Sequence, residues 1–158
     1  MQNETEMNKK GGVFLVVVDG TIECQAAVDY ACKFANASGG YVALLNVMEE
    51  VVVQNWHNVE KRVKRELRDV SEQMVWDASG RVLQNTGKIP MICIEEGDRA
   101  NQILETLQSN PNIVALVLAA AESSNPGPLV TYFAGKGLLQ IPVPLMVIPG
   151  NLQPISNT

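Results

Sequence analysis

Five short apolar runs along the chain predict five β-strands. They are Val13–Val18, Tyr41–Val47, Ile89–Glu95, Ile113–Ala121 and Val143–Ile148. The first and fourth runs contain no polar residue, a pattern typical of parallel strands that helices cover on both faces. A parallel sheet buried between two layers of helices is therefore the architecture that these runs favour.

Apolar residues spaced three and four positions apart predict four helices between the strands. The predicted helices are Thr21 to about Ala37, Trp56 to about Asn85, Asp98 to just before Asn110, and Pro128 to about Gln140. Thr21 and Asp98 have side chains suited to capping their helices, and Glu23 suits the first helix dipole. The fourth helix would contain two glycines, Gly135 and Gly137, which predicts close packing against a neighbour.

The second helix has the most sustained amphipathic pattern. Its predicted apolar stripe is Val59, Val63, Leu67, Val70, Met74, Ala78 and Val82. Basic residues on the opposite face could form a phosphate or nucleic-acid patch. However, Glu60 and Lys64, like Arg62 and Glu66, are four residues apart and can pair along the helix. A solvated helix face is therefore favoured.

The alternation of strands and helices predicts a three-layer α/β/α sandwich around an open, mainly parallel five-stranded sheet. Its length of 158 residues suits one domain, expected over residues 13–150, with a disordered tail at 1–12 and a polar tail at 151–158. We expect two helices on each face of the sheet.

Composition argues against two classes of partner. A net charge of −5 and a pI near 4.9 disfavour nucleic acid, which normally needs a basic face. No apolar run approaches the ~18 residues that span a membrane, and no secretory leader is evident. Cys24, Cys32 and Cys93 form no paired motif. Reduced thiols and a cytoplasmic location are expected.

The sequence offers few candidates for catalysis or metal binding. His57 is its only histidine, so a standard zinc site or catalytic triad has no support, and no phosphate-binding P-loop motif is present. Asp19 is the polar residue that the fold itself would place at a crevice, beyond the end of the first strand. It could accept hydrogen bonds from a ligand or cap the first helix, and these alternatives stay open.

Several short motifs, in this order and spacing, resemble the universal stress protein family over Val13–Pro149. They are Val16-Val-Val-Asp-Gly-Thr21, Ala43-Leu-Leu-Asn-Val47, Glu96-Gly-Asp98, Ala115-Leu-Val-Leu118 and Pro142-Val-Pro-Leu-Met-Val-Ile148. The resemblance implies a Rossmann-like fold of the adenine nucleotide alpha hydrolase type. It also implies a homodimer formed through the last strand, around Val143, Leu145 and Val147, while any other protein partner is unknown.

In the ATP-binding members of that family, nucleoside contacts come from the ends of the first two strands. The resemblance carries these roles to Val18, Asp19 and Val47. A glycine-rich loop holds the phosphates, and its first two glycines correspond here to Ala120 and Ser123, while its Gly-Ser pair corresponds to Thr131-Tyr132. The two alignments disagree in register, so the loop between Ala119 and Thr131 differs in length.

The loop departs from the family pattern in ways that disfavour phosphate. Pro126 and Pro128 lack N–H donors, and Glu122 adds negative charge. Gly127, with Ser123-Ser124, could compensate in part. The sequence therefore predicts a non-enzymatic, dimeric stress-response or signalling module without strong ATP binding. No cofactor is expected, although ATP or AMP is possible. The alternative is a nucleotide-binding protein with a variant loop, with or without slow ATPase activity.

Overall fold

A computed structural model describes residues 11–50 and 57–153 of the chain. Its elements are β1 (Val13–Val17), α1 (Glu23–Ser38), β2 (Tyr41–Met48), α2 (His57–Thr86), β3 (Met91–Glu96), α3 (Arg99–Ser109), β4 (Ile113–Ala120), α4 (Pro128–Ala134), a 3₁₀ turn (Leu138–Gln140) and β5 (Leu145–Pro149). Most of the predicted N-terminal tail, the predicted helix residue Trp56 and the end of the C-terminal tail lie outside the described residues.

All five strands are parallel and lie in the order β3-β2-β1-β4-β5. The predicted three-layer sandwich is confirmed, with α1 and α2 on one face of the sheet and α3 and α4 on the other. β1 lies at the centre and β5 at an edge. Chain connections therefore run in opposite directions from β1 and β4, which creates a crevice at the carboxyl ends of these two strands.

Alternate residues of β1 supply the two halves of the core. Phe14 and Val16 point toward α1 and α2, whereas Val13, Leu15 and Val17 point toward α3 and α4. All five are buried, as the unbroken apolar run predicts. β1 is thus packed against helices on both of its faces, and its carboxyl end forms the floor of the crevice.

The second helix is buried along only part of its apolar stripe. Val82 of the stripe packs fully against the sheet and α1, as does Val75, which the predicted stripe did not include. Nearer the N-terminus, Val59, Leu67 and Val70 are 38–51% exposed. The first half of α2 therefore presents apolar side chains with little of the sheet beneath them.

One of the two predicted helix caps is confirmed. Asp98 accepts a hydrogen bond from the Asn101 N–H at 3.0 Å, as a capping side chain does. Thr21 was a wrong prediction, because the N-cap of α1 is Ile22 and makes no side-chain cap hydrogen bond. The Thr21 hydroxyl instead donates to Asp19 Oδ1 at 2.6 Å, so it is hydrogen-bonded within the turn that precedes the helix.

The fourth helix is shorter than the sequence predicts, ending at Ala134 instead of near Gln140. The N–H groups of both Gly135 and Gly137 donate to the Tyr132 carbonyl, which closes the helix with a tight turn. A Cβ on Gly137 would overlap the Tyr132 ring. The expected close packing at a glycine is therefore present, but in a turn that ends the helix, not inside it.

Candidate functional site

Two adjoining cavities of about 250 Å³ each open at the carboxyl ends of the strands. The β2 cavity is lined by Asp19, Asn46, Val47, Leu67, Val70, Ser71 and Met74, among others. The β4 cavity is lined by Asp19, Thr21, Ala119, Ala121, Pro126 and Gly127, among others. Both include Val17, Asp19, Arg99 and Leu129, so they form two halves of one crevice.

Asp19 lies where these halves meet, and its side chain stabilises the turn that follows β1. Its Oδ1 accepts hydrogen bonds from the Thr21 N–H at 3.0 Å and from the Thr21 hydroxyl at 2.6 Å. Because the N-cap of α1 is Ile22, Asp19 does not cap that helix. Both bonds end on one carboxylate oxygen, which leaves Oδ2 with no partner in the described chain and able to accept from a ligand.

β2 continues past the end of β1, and the backbone of Val47 lies in this continuation. The Val18 N–H donates to the Leu45 carbonyl at 2.7 Å, so a continued parallel ladder would pair the Val47 N–H with the Val18 carbonyl. That carbonyl instead accepts from the side-chain Nδ2 of Asn46 at 2.7 Å. Within the described residues, the Val47 N–H therefore lacks its ladder partner at the edge of the β2 cavity.

Asn46 is a site residue that sequence reasoning missed. It is 6% exposed, and its Oδ1 has no hydrogen-bond partner among the residues that the structure describes. The signal was present in the sequence: Asn46 is the one polar residue inside the apolar run Tyr41–Val47. Buried polar atoms are almost always hydrogen-bonded, so this oxygen marks a place where a donor is missing.

Most backbone donors of the β4–α4 loop, Ala121–Gly127, are used within the loop itself. The N–H groups of Ala121 and Ser123 donate to the carbonyls of Pro126 and Ala121. The N–H groups of Asn125 and Gly127 donate to the Ser123 hydroxyl and the Asn125 side-chain oxygen. A loop that cradles phosphate needs these N–H groups to point outward.

The predicted phosphate-side residues are only partly brought together. Gly127 lines the β4 cavity, but Ala120 and Ser123 line neither half of the crevice. The Ala120 carbonyl accepts the Gly150 N–H at 2.9 Å, and the Ser123 hydroxyl donates to the Asn125 carbonyl at 2.7 Å. Glu122 is exposed and lines neither cavity, so its negative charge would act on a bound phosphate only from a distance.

Arg99, the first residue of α3, is a second residue that the sequence did not single out. Its side chain lines both halves of the crevice and lies 3.5 Å from the Glu49 carboxylate, from Nε to Oε1. Because both side chains are substantially exposed, this ion pair is weak and can be exchanged for a bound anion. Only the folded arrangement brings this cation to the ends of β1 and β2.

Burial disfavours the reactive thiolate form of all three cysteines. Burial is the main cause that raises the pKa of both Cys24 and Cys32 to about 11, so both thiols are protonated at neutral pH. Burial also raises the pKa of Cys93. Within residues 11–50 and 57–153 there is no cluster of side chains suited to a metal ion.

None of the helices in the described parts of the chain is both long enough and apolar enough to cross a bilayer.

Comparison with known proteins agrees with this geometry. No curated protein sequence gives a significant match. Among solved structures, the universal stress protein UspA from Lactobacillus plantarum matches with a TM-score of 0.70 and 20% identity, covering 88% of this chain and 98% of that one. A family protein from Arabidopsis thaliana with AMP bound matches with a TM-score of 0.64 and 16% identity, covering 87% and 91%.

A family model supplies the assignment that such low identities cannot. The model of the universal stress protein family matches residues 12–149, which include every strand of the sheet. The resemblance inferred from the strand-end motifs is thereby confirmed. This chain belongs to the universal stress protein family.

Proposed function

We propose that this protein is a non-enzymatic stress-response or signalling module that binds the nucleoside part of adenine nucleotides and gains little from their phosphates. Solved relatives described with AMP or with cAMP support the ligand class. The observation that carries the proposal is the β4–α4 loop, whose N–H groups are largely committed to its own acceptors. Each lost charge-assisted hydrogen bond to phosphate is worth about 1.5–3 kcal/mol.

The nucleoside half of the crevice offers matching chemistry. Asp19 Oδ2 can accept hydrogen bonds from a ribose hydroxyl, and the backbone of Val47 provides an N–H at the edge of an apolar cavity. A cavity of about 250 Å³ is small for a whole nucleotide and better suited to its base. We infer that affinity comes mainly from these contacts.

Titration calorimetry with adenosine, AMP, ADP and ATP tests the proposal. We expect weak binding, with the four affinities within about threefold of one another, because added phosphates find few free donors. Asp19→Ala is expected to weaken all four ligands alike. Glu105→Ala, which removes an exposed carboxylate of α3 outside both cavities, is the matched control and should leave every affinity unchanged.

Phosphate recognition through Arg99 is the alternative, favoured by its position in both halves of the crevice. In that case ATP would bind at least about tenfold more tightly than adenosine, and Arg99→Ala would remove the difference. ATP hydrolysis measured in the same samples would separate a slow ATPase from a binding module. ATP binding about tenfold tighter than adenosine binding, or detectable ATP hydrolysis, would contradict the proposal.

The proposed module is a homodimer assembled through β5. Among the residues that the structure describes, this strand pairs with β4 alone. Val147 on it is 38% exposed, while Leu145 on it and Val143 just before it are partly buried. An apolar edge strand favours pairing with a second copy.

The free cysteines are consistent with the reducing cytoplasm as the location of the protein.

Light scattering coupled to gel filtration tests the dimer. We expect a dimer mass at micromolar concentration, and a shift to monomer when Val147→Lys places a charge on the β5 edge. Ile92→Lys is the matched control, because Ile92 is 43% exposed on β3 at the opposite edge of the sheet. A monomeric wild-type protein, or equal effects of both variants, would contradict assembly through β5.

A further inference from the structure

The outer edge of β3 is open to a further strand. β3 pairs with β2, and no other strand lies beyond it among the residues that the structure describes. We propose that this edge is a docking site for an extended segment of a partner protein, which adds to the sheet as a sixth strand. The site lies at the opposite edge of the sheet from β5, and no residue of β3 lines either half of the crevice.

The hydrogen-bond pattern shows which backbone groups of β3 face outward. The Gly97 N–H donates to the Met48 carbonyl at 2.9 Å, so the odd-numbered residues of β3 direct their backbone groups toward β2. The N–H and C=O groups of Ile92, Ile94 and Glu96 therefore point away from the sheet. They form a row of donors and acceptors with which an added strand can pair.

Pro90 limits the length of this row. It precedes β3 at the next outward-facing position, where it lacks an N–H to donate. The open row is therefore Ile92–Glu96. A second copy of the chain suits it less, because antiparallel pairing of two such segments would set an isoleucine opposite a glutamate at both ends. The edge favours a strand of different sequence.

Exposed apolar side chains lie on the helix that covers this edge. α2 packs over β2 and β3, and its residue Arg81 donates to Asp29 of α1 through Nε. Trp76 and Leu83 project from the side of α2 opposite to Arg81, toward β3, and are 72% and 48% exposed. Ile92, 43% exposed, has its side chain on the same face of the sheet as α2. An added strand could pack apolar residues at alternate positions against this surface.

The charges along β3 favour a particular kind of segment. Glu95 and Glu96, at its carboxyl end, are exposed, and Glu96 is paired with Lys64 at 3.9 Å, a separation at which an exposed ion pair is weak. Lys88 precedes the other end of the strand. Antiparallel pairing is slightly more stable than parallel pairing, and opposite charges that face each other across two strands stabilise it. The site therefore fits an antiparallel segment with basic residues at its N-terminal end and an acidic residue at its C-terminal end.

Fluorescence polarisation with a labelled synthetic peptide tests the proposal. The probe is Lys-Lys-Val-Thr-Val-Thr-Val-Glu, and we expect a Kd of about 100 μM or tighter. Its valines would lie opposite Ile92 and Ile94 and exchange backbone hydrogen bonds with them. N-methylation of the valines should therefore weaken binding at least about tenfold. N-methylation of the threonines, whose N–H groups would face solvent, should change the affinity less than about threefold.

Variants and hydrogen exchange test the same contact from the side of the protein. Ile92→Lys should weaken peptide binding at least about tenfold. Val114→Lys is the matched control, because Val114 is 42% exposed but lies on β4, and it should leave the affinity unchanged. On the wild-type protein, the peptide should slow amide exchange at Ile92 and Ile94 but not at Cys93, whose N–H faces β2.

Absence of binding by the unmethylated peptide up to about 1 mM, or equal losses from both methylated forms, would overturn the proposal. A mass that grows beyond the dimer with protein concentration, and that Ile92→Lys reduces, would make a second copy the occupant and would overturn it as well. Nucleotide affinities and assembly through β5 are measured separately, so either result would leave the proposed function standing.

Discussion

Replacing Phe133 with alanine is expected to lower the free energy of unfolding by about 3–5 kcal/mol. Phe133 is fully buried on the face of the sheet that α3 and α4 cover, and its ring packs edge-to-face against Tyr132 with centroids 5.1 Å apart. Truncation removes this apolar contact and leaves a cavity that the surrounding strands cannot close. Phe133 and Val130 are the buried residues of α4, so little else holds this short helix.

Urea denaturation followed by circular dichroism measures the loss. Leu139→Ala is the control, because Leu139 is 97% exposed and its truncation should change the free energy of unfolding by less than about 0.5 kcal/mol. A loss below about 1 kcal/mol for Phe133→Ala would show that α4 does not depend on this anchor.

The second large effect is expected at Gly40, where alanine should destabilise the fold by about 3 kcal/mol, the upper end for overpacking. A Cβ there would overlap the Gly12 carbonyl oxygen and approach the Gly11 carbonyl oxygen to 2.7 Å. The Gly12 carbonyl accepts the Tyr41 N–H at 2.9 Å as the chain enters β2. Backbone atoms cannot rotate away, so the start of β2 would have to move.

Gly80→Ala provides a control of opposite sign for the same chemical change. Gly80 lies inside α2, and a Cβ on it meets no atom within 4 Å. Helix propensity then favours alanine by up to about 1 kcal/mol. Thermal melts of both variants should move in opposite directions from the wild type. A Gly40→Ala protein as stable as the wild type would contradict the close approach at Gly12.

The sequence was sufficient to predict the sheet because β1, β2 and most of β4 are buried on both faces, and their apolar runs are typical of the centre of a parallel sheet. It failed at Thr21 because a hydroxyl can serve either a helix or the preceding turn, and only the position of Asp19 decides between them. It failed at the end of α4 because Gly135 and Gly137 are compatible with both a packed helix and a turn.

For a related reason, the sequence indicated some residues of the candidate site and missed others. Asp19 follows from the rule that ligands bind beyond the carboxyl ends of parallel strands, whereas Val47 came from the family resemblance. Ala120 and Ser123 depended on aligning a loop of different length, and neither residue lines the crevice. Asn46 was visible in the sequence as the one polar residue of an apolar run, but its unpartnered oxygen, like the position of Arg99, is known only from the folded structure.

The uneven burial of α2 has a consequence for how a ligand reaches the β2 cavity. Leu67 and Val70, which line the β2 cavity, belong to the loosely held first half of the helix, whereas Val75 and Val82 anchor the second half. Segments with few buried contacts separate from a protein at a lower free energy than global unfolding requires. We therefore expect a ligand to enter the β2 cavity past this half of the helix, through a local opening that leaves the sheet and the rest of α2 folded.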